Sequence, residues 1–202
     1  MLNIKDSNYL KRTLKIFIMT TILLLITIVL AFFFHPTEEF LKQLGSKSPK
    51  RVSETHGLTK VWGFIQTNGF YVPVQMLLLA LIPIPFLYTI NLIVTVIIPG
   101  IMFGFLINFD TYKGLTNFIA YIPHYTLEVM SYCVFVSGLY ILNKSVTQKV
   151  YNLFRKDKKD KYSFKISLLN LAKIYLFISI PLVILAAFAE TYIADFLSNL
   201  MN

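Results

Sequence analysis

Residues 61–109 read VWGFIQTNGFYVPVQMLLLALIPIPFLYTINLIVTVIIPGIMFGFLINF, 49 consecutive positions without a charge, bounded by Lys60 and Asp110. One helical crossing of a bilayer takes about 20 apolar residues. A run of this length therefore crosses about twice, provided it can turn back. The turn falls at Ile82-Pro83-Ile84-Pro85, because two closely spaced prolines oppose a continuous helix. This predicts helices at 63–82 and 86–109. The alternative is a kinked helix that turns later, near Thr89-Ile90-Asn91. A turn without charge is expected to be tucked against protein.

Outward from this run the pattern repeats. Residues 16–34, IFIMTTILLLITIVLAFFF, are uncharged and follow Lys5, Lys11, Arg12 and Lys15. The apolar stretch exceeds the roughly 7–15 residues of a signal peptide core, and AFFFHP is not a small-residue cleavage site. It reads as a retained first crossing with its N-terminal side in the cytoplasm. Residues 35–60 are polar, with His35-Pro36 as breaker, and read as an outer loop. Asp110 to Gly114 form a short outer loop, 118–142 a fourth helix and 172–194 a fifth. Between these two helices lies a basic cytoplasmic connection, 143–170. The N-terminal arm has four Lys/Arg and the stretch 143–173 has nine, against six in the two outer loops. That asymmetry fits five passes with the N-terminus inside and the C-terminus outside. The fold class is an all-α polytopic bundle, one integral membrane domain over 1–202.

Composition agrees. The chain of 202 residues is 56% hydrophobic and 14% charged, where soluble domains have about 25% charged residues. The net charge of +9 is accounted for by topology and anionic lipid rather than nucleic acid. Cys133 is the only cysteine, so no internal disulfide or thiolate metal cluster is expected. Phosphate-loop, dinucleotide, zinc-protease and serine-elbow motifs are missing. No enzymatic activity, cofactor or metal is expected.

Within the oily segments three residues stand out. His124 and Glu128, in YIPHYTLEVM (121–130), are four apart and share a helix face. Glu190 lies near the end of the fifth helix. At about 1.5 Å per residue, His124 sits about 9 Å below the outer face, Glu128 about 15 Å and Glu190 about 6 Å. The three can meet if helices four and five pack together, and Asn68 can join them from helix two. Ionisable groups in a membrane usually face the bundle interior and find partners. The leading reading is a buried network that fixes helix packing. Alternatives are a partner-docking or ion- or proton-linked site, and a metal site performing intramembrane hydrolysis. Gly100 and Gly104 have GxxxG spacing, which suits close helix packing or a homodimer face. In the basic connection, Val146, Val150, Leu153 and Phe154 share a helical face. Together with Arg155, Lys156, Lys158 and Lys159 this is a surface for anionic lipid or for a cytoplasmic ATPase.

Four stretches carry a family resemblance. IPHYTLEVMSYCVFVSGLYI (122–141) resembles the hallmark helix of the stage II sporulation protein M family, whose motif is roughly proline-histidine-glycine, two residues, then glutamate. ILAAFAETYIADFL (184–197) resembles that family's last helix, VWGFIQTNGF (61–70) its entry to helix two, and IIPGIMFG (97–104) its third helix. Tyr125 stands where the family has glycine, and Pro99 where it has asparagine. The resemblance covers about 60–196 and implicates Pro123, His124, Glu128, Gly138, Gly100, Gly104 and Glu190. It implies a multi-pass protein of the bacterial cytoplasmic membrane without established catalysis. Such a protein would hold peptidoglycan-remodelling envelope partners, or work beside an ABC-type ATPase in bacteriocin export and immunity.

Overall fold

The apolar segments fold as five helical rods in a computed structural model, whose described residues are 6, 8–34, 39, 57–154, 162–194 and 196–197. Rod α1 is Tyr9–Phe33. Rod α2 runs through Gly57–Phe64, a wide π-type turn at Ile65–Tyr71, and Val72–Ala80. Rod α3 opens with a tight 3₁₀ turn, Leu87–Thr89, and continues as Ile90–Phe109. Rod α4 is Thr111–Phe154. Rod α5 comprises Phe164–Ile174, a π-type turn Tyr175–Ser179, Ile180–Phe188 and a second π-type turn Ala189–Ile193. Among the described residues, four helices are long and apolar enough to cross a membrane: α1, α3, α4 and α5. Rod α2 falls outside that group; its Gln66, Asn68 and Gln75 dilute its apolar character.

Contacts along the rods give their directions. Tyr9 meets Val134, and Thr21 meets Tyr125, so α1 and α4 are antiparallel. His124 meets Ala186 and Ser131 meets Ser179, so α4 and α5 are antiparallel too. Asn68 lies by Tyr132 and Ala80 by Asn143, so α2 runs parallel to α4. Rod α3 runs parallel to α1 and turns sharply into α4. Successive rods therefore alternate in direction. The most apolar stretch of α4 is 72% buried, that of α1 only 17%. Rod α4 is the central post and α1 presents most of its surface outward. The core gathers on the post, where Val129, Tyr132, Cys133, Val136, Leu139 and Leu142 are almost fully enclosed.

The α1–α3 contact depends on two glycines. A Cβ on Gly100 would come within 2.9 Å of the Thr27 Cβ, and one on Gly104 within 2.6 Å of the Ala31 Cβ. Only hydrogen at these positions lets the backbones approach this closely. Both glycines are covered by α1, so they are not an open face for a second copy. Gly138 does the same for α5, where a Cβ would lie 2.8 Å from Leu171 Cδ1.

Several sequence boundaries need correction. The α3–α4 connection is a single extended residue, Asp110, rather than a loop reaching Gly114. Its carboxylate accepts the Lys113 amide at 3.1 Å, an N-terminal cap. Gly114 packs on the Ile107 backbone, which permits the sharp reversal. Rod α4 continues to Phe154 and absorbs residues 143–154 of the expected basic connection. No Gly or Pro interrupts 139–154, so the polar residues there do not end the helix. At about 1.5 Å per residue it spans about 66 Å, roughly twice a bilayer core. Rod α5 begins at Phe164, eight residues before the expected 172. Helical structure at Gly57–Lys60 shortens the outer loop, whose remainder lies almost wholly outside the described residues. The α2–α3 turn does fall at the two prolines. Its side chains are not tucked in, however: Leu81, Ile82, Ile84 and Phe86 are exposed. Protein engages its backbone through Asn143, and the Phe86 ring lies 6.3 Å from that of Tyr140. Phe86, with φ 64°, supplies the left-handed residue that closes the turn.

Candidate functional site: a closed histidine–carboxylate cluster

Pro123 interrupts the amide ladder of α4, since proline has no N–H to donate. His124 follows it and points at α5. Its side chain and that of Glu128 are nearly inaccessible, with 4% and 5% residue exposure. Nε2 lies 2.7 Å from Glu128 Oε2. Nδ1 lies 3.0 Å from the Ala186 carbonyl oxygen of α5. That carbonyl can only accept, so Nδ1 carries a hydrogen and donates it. A second proton then lies between Nε2 and Oε2. The pair is either imidazolium with carboxylate or imidazole with carboxylic acid, and both forms keep the hydrogen bond. The rings of Tyr121 and Phe64 wall the site, with centroids 5.4 and 5.9 Å from the imidazole.

Glu190 approaches from the last π-type turn of α5. Its Oε2 is 3.8 Å from His124 Nδ1, beyond hydrogen-bond range. Among the described residues that oxygen and Thr191 Oγ1 have no hydrogen-bond partner. The three ionisable residues singled out by sequence are thus brought together, with Glu190 as an electrostatic neighbour rather than a bonded one. Asn68 takes part differently. Its backbone carbonyl, in the wide turn of α2, accepts from the Tyr132 hydroxyl at 3.2 Å. The neighbouring Gly69 carbonyl accepts from the Tyr175 hydroxyl of α5. A π-type turn displaces carbonyls from the helical ladder, and here tyrosines from two rods reach them.

The cluster is the outermost link of a seam. One turn further along α4, Ser131 and Ser179 of α5 exchange hydrogen bonds, each hydroxyl donating to the other's carbonyl at 3.0 and 3.1 Å. Gly138 then seats Leu171. The seam follows 124, 128, 131 and 138, a continuous helical face. Ser131 was therefore findable as the next step along the His124–Glu128 stripe. A second set was not anticipated. Arg12 of α1 donates from Nε to Ser137 Oγ at 3.0 Å and from Nη2 to the Ser137 carbonyl at 2.8 Å. Its Nη2 also pairs with Asp6 at 2.6 Å, and Tyr140 lies under the guanidinium, 4.5 Å away. The arginine reads in sequence only as a topogenic charge. Arg155, Lys156, Lys158 and Lys159 lie outside the described residues.

Chemically the cluster can hold two helices together and share a proton internally. Among the described residues no three His, Cys, Asp or Glu side chains are grouped to hold a metal ion. In this arrangement both imidazole nitrogens are engaged within the protein.

A model of the family described as stage II sporulation protein M matches residues 17–195. That span takes in α1 from residue 17, the other four rods and the whole cluster. No curated protein and no solved structure matches the chain.

Proposed function

Because the chain belongs to the stage II sporulation protein M family, we propose that this membrane protein is a non-enzymatic scaffold of the bacterial cytoplasmic membrane. It anchors or organises cell-envelope partners of the peptidoglycan-remodelling kind. The observation that carries the reading is the closure of the His124 cluster. Buried polar groups raise the free energy of a fold unless bonded, and here the imidazole is satisfied by Glu128 and Ala186 with almost no exposure. Groups arranged this way support helix positions; a substrate would have to break them apart to reach the ring. Serine pairs, tyrosine hydroxyls and small residues continue the same role along α4, giving a stiff post on which partner-binding surfaces can be displayed.

One observation favours a second reading, a permease-like or immunity subunit serving an ATP-binding cassette ATPase. The end of α4 carries apolar side chains, Leu153 and Phe154, that are 80% and 85% exposed. Cross-linked pull-down from native membranes in mild detergent, read by mass spectrometry, tests both. Enrichment of a wall hydrolase or another exported envelope protein is the expected result. Enrichment of an ATPase instead, lost in Leu153→Ser/Phe154→Ser, replaces the scaffold reading with the second. Recovery of the chain alone counts against both.

A further inference from the structure

A groove of about 820 Å³ lies between the start of α1, the later part of α4 and the start of α5. Its rim carries Lys11, Arg12, Lys15 and Lys144, against one carboxylate, Asp6. That carboxylate is taken by Arg12 at 2.6 Å. Lys144 Nζ is held by ring faces, 4.3 Å from Tyr140 and 5.7 Å from Tyr162. An aromatic face steadies a cation without neutralising it. Lys11 and Lys15 are exposed. The described part of the groove therefore has an excess of three positive charges. Ser163, which opens α5, also lines it, so the positive end of that helix adds to the field.

The floor is of the opposite character. Ile166 stands level with Lys144, and Ile141, Gly138 and Ile174 run down from there along the apolar parts of α4 and α5. Both rods are among those long and apolar enough to span a membrane. The basic N-terminal arm and the basic end of α4 meet at this groove, which places it at the side where positive charge accumulates. A ligand must then present a net negative headgroup to the rim and an apolar body to the floor.

We infer that this groove seats an anionic phospholipid, its phosphate held by Lys15, Lys144 and the open edge of Arg12, with an acyl chain along Ile141 and Ile174. The excess charge disfavours a zwitterionic headgroup, whose ammonium would face the same lysines. Basic pockets between membrane helices take anionic headgroups for this reason. The site is separate from the His124 cluster and does not rest on the scaffold reading.

The test uses purified protein in mild detergent with dioleoyl-phosphatidylglycerol or dioleoyl-phosphatidylcholine, the retained lipid counted by native mass spectrometry. Phosphatidylglycerol is expected to be retained in preference to phosphatidylcholine. Lys15→Gln and Lys144→Gln should each weaken that retention about fivefold, whereas Lys113→Gln, at the other end of α4, should leave it unchanged. Lys15 is exposed, so the single Lys15→Gln variant keeps the test valid if the Lys144 variant is poorly folded. Equal retention of the two lipids, or no response to either lysine substitution, overturns the inference. Displacement of the lipid by millimolar inorganic phosphate also overturns it, by assigning the groove to the free anion.

Discussion

The carboxamide of Asn143 donates to the Ala80 carbonyl at 3.0 Å and to the Ile82 carbonyl at 2.8 Å. These are carbonyls at the end of α2, where the helix has no amides left to offer. The residue is 4% exposed, so one side chain on the central post satisfies the turn that its own sequence leaves unprotected. Asn143→Leu keeps the branched shape and removes both donors. The expected loss is about 1–3 kcal/mol of stability, with faster amide exchange confined to 80–86. Hydrogen exchange read by mass spectrometry checks it, and unchanged exchange in that segment would remove Asn143 from the role. Sequence cannot point to this residue, because its acceptors are backbone atoms about 60 positions away and carry no side-chain signature. The His124–Glu128 pair is different. Its spacing is local, so helical geometry alone places the two side chains together, and the depth argument adds Glu190.

Rods α1 and α3 meet where the glycine stripe of one faces Thr27, Ile28 and Ala31 of the other. The two glycines are not equivalent. A Cβ at Gly104 would press on the backbone carbonyl of Ile28, whereas one at Gly100 would press mainly on the Thr27 side chain. Backbone cannot give way as a side chain can. Gly104→Ala is therefore expected to cost about 1–3 kcal/mol and to lower the melting midpoint in detergent more than Gly100→Ala. Equal midpoints for the two variants would contradict the packing described. GxxxG spacing announces a close approach without naming the partner, which is why α1 was not legible as the covering helix. The extent of α4 was hidden for another reason. Polar and basic residues after 142 read as an exit from the membrane, yet leaving the membrane does not require leaving the helix. The wide turns in α2 and α5 have no propensity signature at all. In α2 the displaced carbonyls of Asn68 and Gly69 are met by tyrosines on neighbouring rods, and in α5 the Ser179 carbonyl is met by Ser131.

At the scale of the whole molecule, charge distribution carries most of the architecture. A 49-residue neutral run admits few folds besides paired membrane helices, and the basic arms set direction. Which rod stands in the middle is decided instead by packing. Rod α4 is enclosed because it holds the polar seam, and the seam stays bonded only when α1, α2 and α5 close around it. The central claim is that the His124 cluster maintains this closed state rather than performing chemistry. Its most direct measurement is the thermal unfolding of Glu128→Ala beside the parent protein in the same detergent. Losing the partner of a buried imidazole should remove about 1–3 kcal/mol, a fall of about 2–4 °C for each kcal/mol at this chain length. Glu128→Gln, which can still donate to Nε2, should recover part of the loss. A Glu128→Ala protein that melts at the parent temperature, yet no longer recovers its membrane partners, would contradict the claim and make the cluster a functional site.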